Sequence, residues 1–548
     1  MKGNVMGASV EEVQAGLVGR GDVLRTPFGI KPLIYADYTA SGRNFTPIDE
    51  ALDTLARLYA NPHTEDSWTG RVSGSWMRDA KARIKQHLGA SPEHIVMTCG
   101  AGATSAIHKL QEVLGLALPP ATRDRLDDVT CEARPVVFIG PYEHHSNELS
   151  WRESLADVVR VPLDASGRLD MAAMAEHLAD PIYEGRRKIV AVSAASNVTG
   201  VRTDIAAIAR LAHRNGAVIL LDCAASAPYQ KIEMCPLDDA EASIDAVYFS
   251  PHKFIGGPGA CGVLVMAPHL YRSDLPPTQA AGGTVVWVSR ESHDFIESAE
   301  AREMSGTPGV PQLVRAALAL QLQADIGHEV IEQREHAAVA RAFESWSEND
   351  RIEILGPLEP AARIGIVSFT LLKSSGERLH PRLVTVLLND VFGIQSRAGC
   401  SCAGPYGHDL LDLDDTMSRE LRARVLGGEA GARPGWCRVS LHWVMSEAEI
   451  SYLVQAVNML ADHADALEAL YDYTPQTGRW VCRLAEAMDE ALPGLPTHVL
   501  GEQAARADDP ICRCRPEQAR SLEQRLNTAF SEAAGLVQGL ENPERTPA

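Results

Sequence analysis

Between about Glu93 and Met266 the chain alternates short apolar runs with amphipathic segments, and few folds accept that pattern. Apolar runs without polar alternation need cover on both faces, which helices crossing over a parallel sheet provide. The pattern predicts strands at Val136–Ile139, Ile189–Ser193, Val218–Asp222, Ala246–Ser250 and Gly262–Met266. Between the second and third, Ile205, Ile208, Ala209 and Ala212 recur at helical spacing and Gly216 supplies a stop, which makes a βαβ unit.

A second unit begins after Pro308, where Leu313, Ala316, Ala317 and Leu320 share one helical face that leads away from the sheet. It is expected to hold strands at Gly365–Leu372 and Arg438–His442 and helices at Val384–Val391 and Glu447–Leu460, with Gly427–Gly435 as an exposed glycine-rich loop. The resulting division is an N-terminal segment (1–60) packing partly on the small domain through the region of Tyr35, a large domain (61–308), a small domain (309–472) and an extension (473–548). The extension carries Pro475, Pro493, Pro496, Pro510 and Pro516.

A formal net charge of −21 argues against nucleic-acid or anionic-membrane partners, which carry the same sign, and favours a small substrate or a protein partner. No apolar run is long enough to span a bilayer, and the N-terminus lacks the order of a signal peptide, so a cytoplasmic location is expected. Eleven cysteines scattered along such a chain read mostly as reduced thiols.

Open α/β sheets bind ligands beyond the carboxyl ends of their strands. There this sequence places Glu143-His144-His145-Ser146-Asn147, Ser196-Asn197, Asp222 and Ser250-Pro251-His252-Lys253. A lone lysine after a strand is ordinarily a solvated surface group. Lys253 instead follows Ser250 and His252, both able to contact phosphate, and precedes the turn-rich Gly256-Gly257-Pro258-Gly259. Such a lysine, with its pKa lowered, can hold an aldehyde cofactor as a Schiff base.

Asp222 reads as a cap or turn residue, or as the partner of a pyridinium nitrogen, where a buried carboxylate is paired. Asn197 could bond the ring hydroxyl and His144 could stack on the ring; each by itself is an ordinary loop residue. Gly100-Ala101-Gly102-Ala103-Thr104-Ser105 opens a helix whose free N–H groups could cradle a phosphate, or is simply a capped N-terminus.

Together these residues resemble the class V aminotransferase superfamily of fold-type I pyridoxal-phosphate (PLP) enzymes, nearest its cysteine desulfurase and selenocysteine lyase branch, over about Tyr35 to Leu460. Glu143–Asn147 with Trp151 resembles the branch's histidine motif, and Ser250–Lys253 its lysine motif. Arg397-Ala398-Gly399-Cys400-Ser401-Cys402-Ala403-Gly404-Pro405 is similar to R-x-G-x-x-C-A-x-P, followed by a family-like strand at Cys437–Leu441.

The resemblance implies an α/β fold with a mainly parallel seven-stranded sheet flanked by helices plus a smaller α+β domain. It implies a PLP site formed by Gly102, Ala103, Thr104, His144, Asn197, Asp222, Ser250, His252 and Lys253, with Arg397 on the substrate carboxylate and Cys402 as nucleophile. Glu303 with Gly306-Thr307-Pro308 resembles the segment that reaches the partner's cofactor phosphate, which implies a homodimer with Thr307 in the partner's site. The implied activity converts L-cysteine to L-alanine and a persulfide on Cys402, with Lys253 and His144 moving protons. The short loop around Cys402 resembles the branch that passes sulfur to a dedicated acceptor protein.

Three positions depart from the family: Ala225 replaces a customary glutamine, Ala103 a threonine and Ser105 an acidic residue. Transamination, epimerisation and selenocysteine lysis on the same scaffold therefore remain alternatives, because fold does not fix reaction. A non-catalytic scaffold is a third reading, against which Lys253, Asp222 and His144 stand. Cys400 reads first as a bystander, ahead of a resolving thiol or a metal ligand, since no matching His/Cys set accompanies it and no metal is expected. Cys512-Arg513-Cys514 reads as an uninvolved pair ahead of a sulfur relay.

Overall fold

The computed structural model describes residues 8–123, 134–484, 511–512 and 521–541. Its central sheet has seven strands: β1 (Ile95–Cys99), β2 (Val136–Ile139), β3 (Asp157–Arg160), β4 (Lys188–Ser193), β5 (Ala217–Asp222), β6 (Ala246–Phe249) and β7 (Gly262–Met266). Their spatial order is β1-β7-β6-β5-β4-β2-β3. All neighbours from β6 to β3 pair in parallel, while β7 runs antiparallel to both β1 and β6. Alternate residues enter separate cores: Phe138, Val190, Ile219 and Phe249 on one face, Val137, Ile189, Leu220 and Tyr248 on the other. That two-sided burial is why these strands read as continuous apolar runs.

The two strands not read from the sequence are the two edges. In β3 only Val158 and Val159 are apolar between Asp157 and Arg160, and all four residues are half-buried; an edge strand needs no more. Helices α1 (Gly102–Val113) and α2 (Ile205–Arg214) cover the sheet, α2 starting where the Asp204 side chain accepts from the Ala207 N–H.

Helix α3 (Val310–Ile326) carries the chain to the small domain and passes through Gly327, at φ +89°, into α4 (His328–Ser347). There β8 (Ile352–Ile354), β9 (Ile366–Leu371), β10 (Arg397–Gly399) and β11 (Trp436–Ser440) form an antiparallel sheet in the order β8-β9-β11-β10, packed with α5 (Pro381–Phe392) and α6 (Glu447–Asp462). The stretch 427–435 is exposed at Gly427, Gly428 and Arg433, but Gly431 is buried. It packs against the hairpin at 471–482 so closely that a Cβ there would lie 2.0 Å from the Tyr473 hydroxyl.

Both flanking regions join this domain. Ile34–Tyr35 pairs in parallel with Ile394–Gln395, while Gly42 donates to the His252 carbonyl at 2.9 Å. A Cβ on Gly42 would sit 1.9 Å from the Phe254 carbonyl oxygen, so only glycine permits that crossing. Beyond residue 473, helix α7 (Leu522–Glu541) buries Leu526, Ala529, Ala533 and Val537 in the core formed by Phe369, Leu387 and Leu453. Glu532 on this helix pairs with buried Lys31 at 2.7 Å, and Ile511–Cys512 adds to the strand Val23–Thr26. Cys514 lies outside the described residues. The described cysteines whose state is defined, including Cys400 and Cys402, are free thiols. Among the described residues no helix is long and apolar enough to cross a membrane.

Candidate active site

The carboxyl ends of β2, β4, β5 and β6 open onto a cavity of about 180 Å³ lined by Ala103, Thr104, His144, Asn197, Asp222, Ser250, His252 and Lys253, with Ala225 also in its wall. One end is a cup of hydrogen-bond donors. Gly102, at φ +62°, begins α1, and a Cβ on it would lie 2.6 Å from Ser250 Oγ and 2.7 Å from His252 Cε1. The Ala103 N–H donates to Ser250 Oγ at 2.8 Å, and the Thr104 and Ser146 hydroxyls are 2.7 Å apart. A helix N-terminus ringed by hydroxyls and an imidazole suits an anion with several oxygens.

Lys253 ends a single tight turn (Pro251–Lys253) that follows β6, with Pro251 fixing the entry. Burial lowers its amine pKa to about 8, opposed by Asp222 and reinforced by the cations Arg438 and Arg397. The amine is therefore partly neutral near physiological pH, as a nucleophile toward a carbonyl must be. Asp222 closes β5 and is buried; desolvation raises its pKa to about 6 against the Ala224 N–H bond at 2.8 Å and the charge of Lys253. His144 Nδ1 accepts from the Ser146 N–H at 3.1 Å, and burial, with Lys253 and other cations nearby, depresses its pKa to about 3. It is a neutral ring against the cavity.

Behind these groups lies a network that sequence reasoning did not separate from the motif. Glu143 accepts from the N–H groups of Gly140 (3.2 Å) and Ser193 (2.9 Å), from Ser193 Oγ (2.6 Å) and from Asn147 Nδ2 (2.6 Å). Asn147 Oδ1 in turn accepts from Trp151 Nε1 at 3.1 Å and Tyr248 Oη at 2.7 Å. The polar run Glu143–Asn147 was the signal; its division into a ring-facing histidine and a buried support required coordinates.

The small domain brings Arg397 and the Cys402 loop to the rim rather than into the cavity. Ser401 and Cys402 both adopt left-handed conformations, at φ +51° and +56°, and Cys402 is exposed. Asn197 spans the two domains: Nδ2 donates to the Ser401 carbonyl at 2.7 Å, whereas Oδ1 is buried without a partner. Arg438, absent from the sequence-derived site, is buried on β11 and donates to the Asn197 carbonyl (2.9 Å) and to Asp37 Oδ1 (3.1 Å). Arg397 lies 3.8 Å from the other oxygen of Asp37, with its side chain 51% exposed. A cation inside an apolar-looking strand, flanked by Cys437 and Val439, was the available clue to Arg438.

Thr307 is not among these residues; it is exposed and accepts from Asn61 Nδ2 at 3.1 Å. Glu303, nearby, is buried and accepts from Lys109 (2.7 Å), Thr278 Oγ1 (2.7 Å) and Tyr271 (2.8 Å). Cys400 is half-buried against the core of the large domain.

A lysine on the turn after one strand, an aspartate ending the neighbouring strand and a donor cup at a helix N-terminus thus meet in one cavity on this sheet. Residues 34–453 match the family model for class-V aminotransferases, and the chain belongs to that family. Relatives include the probable cysteine desulfurase of Halalkalibacterium halodurans, 30% identical over 381 residues covering 68% of this chain and 85% of that one. The probable cysteine desulfurase of Vibrio cholerae is 26% identical over 79% of this chain and 94% of its own. Among solved structures, the apo cysteine desulfurase of Thermococcus onnurineus superposes with a TM-score of 0.63 at 24% identity, covering 78% of this chain and 95% of that one. CsdA of Escherichia coli gives 0.61 at 22%, covering 82% and 98%. The α/β architecture expected from the sequence is the one these structures share.

Proposed function

We propose that this protein is a pyridoxal-phosphate-dependent cysteine desulfurase that converts L-cysteine to L-alanine and leaves the sulfur as a persulfide on Cys402. The observation that carries the reading is the placement of the Cys402 loop on the rim of a cavity that holds a lowered-pKa lysine opposite a buried aspartate.

The residues fit the cofactor. The cup at Gly102, Ala103, Thr104, Ser250 and His252 matches a phosphate, Lys253 an aldehyde, Asp222 a ring nitrogen, and the buried unpartnered Oδ1 of Asn197 marks a polar group left for a ligand. When bound, the cofactor supplies an electron sink for the substrate's α-carbon. Asp222 would keep the ring nitrogen protonated, and His144, a neutral imidazole, would face the ring. Arg397 would take the α-carboxylate, with Arg438 beside it; Asp37 pairs with both cations. The Lys253 amine would move the proton at the α-carbon.

The Cys402 thiolate then attacks the substrate sulfur. An S–S bond forms, the Cβ–S bond breaks, and its electron pair stays with the carbon fragment, which takes up protons to become alanine. The net change is L-cysteine plus the Cys402 thiol giving L-alanine plus the Cys402 persulfide, with no outside oxidant. The protein would work as a homodimer, with Thr307 of each subunit at the partner's phosphate cup, and would pass sulfur to an acceptor protein.

Incubating the PLP-loaded protein with L-cysteine and measuring alanine and sulfide tests the reading. Alanine in step with sulfide is expected, falling to background in Cys402→Ser; no alanine from the wild type would sink it. The scaffold alternative predicts no visible absorption band on adding PLP.

A further inference from the structure

The loop that carries Cys402 holds an unfavourable backbone. Two successive non-glycine residues, Ser401 and Cys402, are left-handed, an unfavourable conformation for L-residues that persists only where surrounding contacts over-determine it. Those contacts come from the large domain. The His145 N–H donates to the Cys402 carbonyl at 2.7 Å, the Gly404 N–H donates to His145 Nε2 at 3.0 Å, and Asn197 Nδ2 donates to the Ser401 carbonyl at 2.7 Å. His145 thus grips the loop on both sides of Cys402, with its backbone and with its ring.

We propose that His145 is a positioning residue that latches the Cys402 loop to the large domain, so that the thiol is presented to the cavity by the turn that also carries His144. This rests on Cys402 being the sulfur-accepting nucleophile. The ring must be neutral to accept from Gly404, and burial lowers its pKa in that direction. The packing at Gly404 agrees: a Cβ there would lie 3.2 Å from His145 Nε2, so glycine leaves the ring room to approach the amide. His144 caps the turn His145–Asn147 that carries the clamp on the Cys402 loop, and Asn147 ties that turn to buried Glu143.

The test uses the full-length, PLP-loaded protein and the variants His145→Ala and His145→Gln. In the wild type, amide exchange across residues 399–404 is expected to be slow for a loop at the cavity rim. In His145→Ala it should be at least about tenfold faster. The single-turnover burst of alanine should fall about tenfold, while the L-cysteine concentration that half-saturates the cofactor's spectral change stays within about twofold. Glutamine, whose side-chain carbonyl can accept from Gly404, should restore most of the burst. Fast exchange of these amides in the wild type overturns the latch, and so does an unchanged burst in His145→Ala. Equal loss in both variants, or loss of bound cofactor in His145→Ala with no recovery in His145→Gln, also overturns it. Failure of the desulfurase reading itself would show separately, as absence of any alanine burst in the wild type.

Discussion

Arg438, buried on β11, and Asp37, on the N-terminal segment, are paired at 3.1 Å, and Asp37 presents its second oxygen to Arg397 at 3.8 Å. One carboxylate from a segment far away in sequence thereby sets both guanidinium groups of the small domain. Removing one partner of a buried pair strands the other charge, at a cost of roughly 3–5 kcal/mol. Asp37→Ala should lower the unfolding free energy obtained from denaturant titration by about 3 kcal/mol, near the lower end of that range, because Arg438 retains the Asn197 carbonyl. A midpoint within error of the wild type would show that the pair contributes nothing.

Lys253 sets the pH dependence of cofactor uptake. Its pKa is lowered from the ordinary lysine value to about 8, so the reactive neutral amine gains roughly tenfold per pH unit below 8 and saturates above it. The rate at which cofactor-free protein develops a visible band with added pyridoxal phosphate should follow that curve. Lys253→Ala should bind without the band.

Asp222 is a residue whose function opposes stability. Its folded pKa is raised to about 6 from an ordinary value near 4, so the unfolded chain ionises first and stability falls as pH rises through this window. The penalty is complete above about 6 and absent below the unfolded pKa. Asp222→Asn without cofactor should therefore be more stable than wild type at pH 7.5, with the difference vanishing near pH 3.5 in paired melts. Turnover should drop by roughly two orders of magnitude or more, the scale on which a positioned proton-transfer group acts.

Gly102→Ala tests the cup. The new methyl meets Ser250 Oγ and His252 at under 3 Å on a left-handed backbone, so a loss of about 1–3 kcal/mol is expected. Affinity for pyridoxal phosphate, measured by equilibrium dialysis, should weaken by at least tenfold. Affinity for pyridoxal, which lacks the phosphate, should change much less.

Most of the architecture was legible because burial on both sheet faces writes β2 and β4 to β7 as apolar runs, and because ligands sit where such strands end. The edge strand β3 escaped because its four half-buried residues include only two apolar ones, Val158 and Val159; β1, Ile95–Cys99, is an apolar run buried on both faces and was missed although its sequence carries the same signal. Among the site residues, His144, Asn197, Asp222, Ser250, His252 and Lys253 are brought to one cavity by the ends of four strands adjacent in the sheet, β2, β4, β5 and β6, so local order in sequence became order in space. Arg438 and Asp37 were not legible: their meeting depends on an N-terminal segment crossing to the small domain, and no periodicity encodes a contact between residues 401 positions apart. His145 hid beside His144 because two adjacent histidines look alike until their rings are seen to face different partners.

The small domain is closed by both ends of the described chain, with Lys31 at one and Glu532 on α7 at the other. A nascent polypeptide can complete the seven-stranded sheet once Met266 has left the ribosome, but the layer supporting Arg397 and Cys402 lacks part of its core until α7 has been made. A finished cofactor cradle would thus exist before a finished sulfur-handling loop.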